Sequence, residues 1–185
     1  MRRITGPDGK PITVRVRLVH SAAGPDDDEN RSDGFQSWMS RQAERTFYSA
    51  LTGSDVVFYN GHSRDGGGPD FAPPKLRWGH PDYEWYTATR PGERRLLEAL
   101  KGSVGARMLG LFSCASTGHF VTEVRHASPQ LATLTSGRLL YYADAMRNML
   151  GALSALIGQW CPPDLDAALR TKGVGGSTSL IGFLR

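Results

Sequence analysis

The sequence predicts an α/β protein with an open, mainly parallel sheet and helices on both faces. Short β-branched or apolar runs alternate along the chain with segments whose apolar residues recur at helical spacing. Glycine and proline separate these segments, and the nearly continuous apolar run 106–112 is typical of a central parallel strand. The length of 185 residues suits one domain. In such sheets a ligand site lies beyond the carboxyl ends of the strands.

The first predicted elements are a strand over residues 12–20, a polar loop and a helix. The strand alternates apolar and polar residues, and the loop contains the acidic run 26–29. Asp33 is the predicted N-cap of the helix, which Gly53 closes. A second strand, 55–60, ends at the turn Gly61-His62-Ser63.

Residues 64–90 read as a long loop, of a length typical of lids and binding loops. Pro91 then begins a short helix over 93–101, and the central strand 106–112 ends just before Cys114. The remaining predicted elements are a helix over 120–126, a strand over 130–136, a helix over 139–159, a helix over 165–169 and a strand-like, glycine-rich tail to 185.

Charge distribution and apolar content bear on nucleic-acid binding, membrane insertion and secretion. The net charge is +4 and the pI about 9.3, but lysine and arginine are scattered, which favours a solvated surface over a nucleic-acid site. No apolar run approaches the roughly 20 residues that span a bilayer, and no apolar segment follows the two N-terminal arginines as in a secretory signal. We therefore expect a cytoplasmic protein that binds neither nucleic acid nor membrane.

The two cysteines are too few for a disulfide scaffold or a CxxC zinc site. Cys161 beside two prolines is interpreted as structural, and His20 as an ordinary exposed histidine. Zinc binding by Cys114 with His119 and His126 is an alternative, but their spacing matches no standard zinc signature. The sequence therefore predicts no metal and no cofactor.

Cys114 and His62 each follow a predicted strand, so they share one edge of the sheet. A thiol attacks a carbonyl as the thiolate, and a nearby imidazole can take its proton and later protonate the leaving amine. The turns after both strands leave backbone N–H groups that can stabilise an oxyanion, and Ser63 and Cys114 are the candidate donors.

Two blocks carry a resemblance to a known family. Residues 57–63, Val-Phe-Tyr-Asn-Gly-His-Ser, and residues 111–118, Leu-Phe-Ser-Cys-Ala-Ser-Thr-Gly, resemble the His and Cys blocks of the caspase-like (clan CD) cysteine peptidases. The similarity is greatest to CHAT-domain and legumain-like members, and it spans 12–159. Ser63 stands where the family has glycine, which restricts φ at a proposed oxyanion donor.

The resemblance implies a three-layer caspase-like sandwich and one peptidase domain over 1–185, alone or as part of a larger protein or complex. It implies an endopeptidase that forms an acyl-enzyme on Cys114 with His62 as acid and base. The segment 131–138 then lines the pocket for the substrate side chain before the cleaved bond (P1), through Thr135, Ser136 and Arg138. The alternative is a catalytically silent binding module of the same fold, and a regulatory partner chain or sensor domain stays open in both cases.

A charged P1 side chain requires an opposite charge in its pocket. Five carboxylates are placed to reach the cleft and would favour arginine or lysine at P1: Asp26, Asp27, Asp28, Asp65 and Asp70. Arg64 and Arg138 would favour aspartate instead. Because the carboxylates are more numerous, the sequence favours a basic P1 residue.

Overall fold

The N-terminal strands form a hairpin apart from the main sheet. The computed structural model describes residues 2–6, 8–21, 31–102, 105–159 and 178–181. Strands β1 (Arg2–Thr5) and β2 (Pro11–Val14) pair antiparallel. The predicted strand over 12–20 was therefore wrong beyond Val14. Pairing with β1 ends at Val14, and beyond it Val16 and Leu18 are 56% and 79% exposed.

Helix α1 (Gly34–Gly53) confirms the sequence prediction at both ends. The Asp33 carboxylate accepts hydrogen bonds from the backbone N–H of Phe35 and Gln36, at 2.7 and 3.1 Å. This N-cap satisfies two donors that the first helical turn leaves without intrahelical partners. Strand β3 (Val56–Asn60) follows and ends two residues before His62, also as predicted.

The prediction of a structureless segment over 64–90 was wrong. A 3-10 turn covers Arg64–Gly66, and strands β4 (Leu76–Arg77) and β5 (His80–Pro81) form a small hairpin. Helix α2 (Tyr83–Thr89) then begins at Asp82, whose carboxylate accepts the Trp85 N–H at 3.0 Å. Each element is only two to seven residues long, which is too short for hydrophobic periodicity to reveal.

The remaining predicted elements agree with the structure within a few residues. They are α3 (Pro91–Leu100), β6 (Met108–Phe112), α4 (Ser116–Ala127), β7 (Ala132–Ser136), α5 (Tyr142–Ile157) and β8 (Thr178–Ile181). The predicted helix 165–169 lies outside the described residues. Among the helices that the structure describes, none combines the length and the apolar character needed to cross a membrane.

The main sheet has the strand order β3-β6-β7-β8. Its first three strands are parallel, and β8 pairs antiparallel with β7. Alternate strand residues face opposite sides. Val57, Leu109 and their neighbours pack with α1, α3 and α4, whereas Met108, Phe112 and Leu134 pack with α5. The protein is thus an α/β fold with helices on both faces of a mainly parallel sheet, and all five residues of β6 are buried.

Candidate active site

His62 and Cys114 follow two neighbouring strands at the same offset. Strands β3 and β6 are paired in parallel, with Asn60 opposite Phe112. The Gly61 N–H donates to the Phe112 carbonyl at 3.4 Å, which extends the pairing one residue past β3. His62 is two residues beyond Asn60, and Cys114 is two residues beyond Phe112. The register therefore brings both residues to one edge of the sheet.

The loop before α5 lies against the turn that carries Cys114. The partly buried Cys114 thiol donates a hydrogen bond to the Leu140 carbonyl at 3.4 Å. The backbone N–H of Ala115 donates to the Arg138 carbonyl at 2.7 Å. These two bonds fix the loop and the turn relative to each other.

The backbone after Cys114 adopts a conformation that is unusual for alanine. Ala115 has φ 47° and ψ 28°, in the left-handed region, and leads directly into α4. Ser116 anchors the turn: its hydroxyl donates to the Leu111 carbonyl at 2.7 Å and accepts the Ser136 N–H at 2.8 Å. Because these bonds join β6, α4 and β7, Cys114 stands on a rigid support.

The Tyr59 hydroxyl contacts the backbone of His62. The buried Tyr59 hydroxyl lies 2.9 Å from the His62 carbonyl and 2.8 Å from the Asp70 carbonyl, and it accepts the Asp70 N–H. Burial raises the pKa of Tyr59 well above its usual value, so the hydroxyl keeps its proton. A Cβ on Gly61 would lie 2.5 Å from this hydroxyl, which explains the glycine before His62. The His62 side chain itself is exposed.

Both candidate oxyanion donors are available. In the described part of the chain, neither the Ser63 nor the Cys114 backbone N–H donates to another group. Ser63 has φ −78° and ψ −20°, a conformation open to any residue. Serine at this position therefore introduces no backbone strain.

Asp70 and Arg64 neutralise each other inside the protein. The Arg64 Nε lies 2.9 Å from Asp70 Oδ2, with the Arg64 side chain only 1% exposed. The Tyr86 hydroxyl donates to the same carboxylate oxygen at 3.1 Å. Burial, with the Asp70 charge adding to it, raises the pKa of Tyr86 to about 12. Because each charge is paired with the other, neither residue offers a free charge to a substrate side chain, and their substrate contacts stay predictions.

Asp65 remains accessible, although it also has internal partners. It lies in the left-handed turn between Arg64 and Gly66, and its side chain is 59% exposed. Its carboxylate lies 3.7 Å from His119 Nε2 and accepts a hydrogen bond from the Thr87 hydroxyl at 3.3 Å. The contact with His119 connects the segment after His62 to α4, the helix that follows Cys114. Sequence patterns gave no signal for this contact.

The residues expected to line the substrate pocket after β7 are only partly accessible. Thr135 and Ser136 are each 1% exposed, and β8 occupies the outer side of β7, pairing Thr135 with Ser179. A substrate strand therefore has no free edge at β7, whereas the contact of Thr135 and Ser136 with a substrate side chain stays a prediction. Arg138 is exposed beside the Cys114 turn. Asp26, Asp27 and Asp28 lie outside the described residues.

Within the described ranges, no three His, Cys, Asp or Glu side chains lie close enough together to hold a metal ion. Comparison with known proteins found no family model, no curated protein and no solved structure that matches this chain.

Proposed function

We propose that the chain is a caspase-like cysteine endopeptidase with Cys114 as nucleophile and His62 as general acid and base. The observation that carries this proposal is the equal offset of the two residues beyond the paired ends of β3 and β6. A thiol and an imidazole on adjacent rigid strand ends are the minimum machinery of this chemistry. The free N–H groups of Ser63 and Cys114 add candidate oxyanion donors.

The proposed reaction has two steps. His62 takes the thiol proton while Cys114 Sγ attacks the peptide carbonyl carbon, and the N–H groups of Ser63 and Cys114 stabilise the oxyanion. The imidazolium then protonates the leaving amine, the C–N bond breaks, and an acyl-enzyme remains. In the second step His62 takes a proton from water, the resulting hydroxide attacks the thioester, and the acid product leaves as the thiol is restored.

One observation favours the alternative, a silent module that binds a partner through the same cleft. The Cys114 thiol donates its hydrogen bond to the Leu140 carbonyl, which is not a base that can take the proton. For catalysis, substrate binding has to shift this proton towards His62. Catalytic hydrogen bonds commonly form fully only in the substrate complex. Activity measurements therefore separate the two functions.

The first test is turnover of a peptide library with diverse P1 residues. We expect Cys114→Ala and His62→Ala each to lower kcat/KM by on the order of 1,000-fold or more. Thermal unfolding should change little, because His62 is exposed and Cys114 is only partly buried. Cys161→Ser is the control and should keep full activity. Cleavage by Cys114→Ala at the wild-type rate would exclude the proposed nucleophile.

We propose a basic P1 residue, recognised by Asp65. With Asp70 paired to Arg64, Asp65 is the candidate carboxylate that stays exposed in the described part of the chain, and it lies three residues after His62. Arg138 is the competing determinant. It is exposed, and its backbone binds Ala115, so its position beside Cys114 would favour aspartate at P1.

Charge-removing variants decide between these two residues. We expect Asp65→Asn to lower kcat/KM for P1 arginine by about 10-fold or more, since a charge-assisted contact is lost. Arg138→Gln should leave that value nearly unchanged. Cleavage after aspartate that is abolished by Arg138→Gln would assign the pocket to Arg138 and reject the basic specificity.

A further inference from the structure

Strand β3 is an edge of the main sheet, because among the described strands it pairs only with β6. The Asp55 carbonyl accepts the N–H of the first residue of β6, and the Gly61 N–H donates to the carbonyl of the last. Alternate residues of a strand direct their N–H and C=O groups to the same side. The backbone groups of Val56, Phe58 and Asn60 therefore point away from β6, to the outer side of the sheet.

The sequence of β3 does not protect this edge. Exposed edges usually carry a proline, charged residues or a bulge, because unpaired N–H and C=O groups attract another strand. Strand β3 reads Val-Val-Phe-Tyr-Asn and pairs with β6 without a bulge. Within the described ranges, the outward backbone groups of Val56, Phe58 and Asn60 form no hydrogen bond. The edge of β3 is therefore free to pair with a further strand.

Helix α5 has a second apolar face besides the one that packs on the sheet. Met146 and Leu150 on this face are 46% and 51% exposed. The two charged residues of the helix, Asp144 and Arg147, pair with each other at 2.9 Å. A helix with apolar residues on two faces typically packs against two partners. The members of this apolar stripe recur at spacings of three and four residues: Ala143, Met146, Leu150, Leu153 and Ile157.

The apolar stripe lies beside the free edge of β3. Helix α5 packs on β3 and β6, and Met146 Sδ lies 4.0 Å from Asn60 Nδ2. The loop before α5 contacts the Cys114 turn, so the helix begins at the carboxyl edge of the sheet and runs antiparallel to β3. Leu150 is about 6 Å along the helix from Met146, and Phe58 is about 6.6 Å along the strand from Asn60. Leu150 is therefore level with Phe58.

We propose that two copies of the chain associate through the β3 edge and the apolar stripe, about a two-fold axis beside Phe58 and Leu150. Antiparallel pairing of the two β3 strands puts Phe58 opposite Phe58 of the second copy, and Val56 opposite Asn60. The outward N–H and C=O groups of all three residues then bond across the axis. The cross-strand pair of phenylalanines adds an aromatic contact.

The same axis brings the two α5 helices into contact. Each helix lies over β3 and β6, so their axes are separated by two strand spacings, about 9.5 Å. Helices pack at interaxial distances of about 8–10 Å. Leu150 then meets Leu150 of the second copy, and Met146 meets Leu153. One symmetric contact thus covers both the edge and the stripe, which favours a second copy over an unrelated partner. This association does not depend on peptidase activity.

The test is analytical ultracentrifugation of the full chain at concentrations up to about 100 μM, where we expect a dimer. Leu150→Glu should raise the dissociation constant about 100-fold or more, because it sets two carboxylates against each other in an apolar contact. Leu18→Glu is the matched control. Leu18 is 79% exposed and lies outside the proposed surface, so this variant should dimerise as wild type does. Circular dichroism should show that both variants are folded.

Val56→Pro tests the strand edge separately from the helix. The substitution removes one outward N–H and keeps the bonds of β3 to β6, so we expect dimerisation about 10-fold weaker. A wild-type chain that stays monomeric at every concentration would overturn the proposal, as would a Leu150→Glu dimer as tight as wild type. Unchanged dimerisation of Val56→Pro would exclude pairing of the β3 strands. Loss of the dimer in Leu18→Glu would assign the contact to the segment 15–20 instead.

Discussion

At the scale of single residues, three of the six non-glycine residues with a positive φ in the described part of the chain lie close to the two candidate catalytic positions. Ala115 follows Cys114 and has a positive φ, as do Arg64 and Asp65 shortly after His62. Left-handed conformations cost non-glycine residues roughly 1 kcal/mol and persist only where the surroundings enforce them. The hydrogen bonds of Ala115 to Arg138 and of Ser116 to two strands hold Ala115 in this conformation. No sequence pattern around Ala115 predicts this left-handed conformation.

Replacing Ala115 with glycine measures the strain. We expect Ala115→Gly to raise the free energy of unfolding by about 1 kcal/mol, because glycine adopts a φ of 47° without a Cβ clash. Urea denaturation is the measurement. The bond from the residue 115 N–H to Arg138 is a backbone bond, so the substitution retains it.

A second alanine-to-glycine change provides the control. Ala99 lies in α3 with ordinary helical geometry, and Ala99→Gly should lower the free energy of unfolding by about 0.5 to 1 kcal/mol. If both glycine variants are destabilised alike, the strain assigned to Ala115 is absent.

At the scale of elements, the sequence predicted the buried strands and long helices well. The run before Cys114 is apolar at every position because β6 has helices on both faces and a strand on each side. The same sequence patterns gave a wrong prediction over 15–20. Apolar and polar residues alternate there, but the segment pairs with no other strand in the described part of the chain. The patterns also failed over 64–90, whose short elements are specified by single caps and turn residues such as Asp82.

The link between β3 and the segment after it depends on one hydroxyl. Tyr59→Phe removes the group that joins the His62 carbonyl to Asp70, and it leaves the Asp70 N–H without this acceptor. We expect a loss of about 1 to 2 kcal/mol in the free energy of unfolding. We also expect a lower kcat for peptide cleavage, since the backbone that positions His62 loses its support.

Tyr142→Phe is the matched control for Tyr59→Phe. Tyr142 is 87% exposed, so loss of its hydroxyl should change stability by less than about 0.5 kcal/mol. A Tyr59→Phe variant that is as stable as Tyr142→Phe would show that the buried hydroxyl does not hold the segment.

At the scale of the whole molecule, the strand order decides where His62 and Cys114 lie relative to each other. The sequence placed His62 and Cys114 after two strands, and parallel pairing of β3 with β6 brings them to one edge. Other parts of the site could not be predicted, because they depend on contacts between distant segments. Examples are the Arg64 to Asp70 ion pair and the antiparallel pairing of β8 with β7.

The most direct measurement of the central claim is covalent labelling of the intact chain by an irreversible, peptide-linked thiol probe, with the modified cysteine identified by mass spectrometry. We expect rapid labelling at Cys114, competition by unlabelled substrate peptide, and a large loss of labelling rate in His62→Ala. Cys161 should react slowly in both proteins, which provides an internal reference. Labelling of Cys114 no faster than Cys161, or at an unchanged rate in His62→Ala, would contradict the assignment of these two residues as a catalytic dyad.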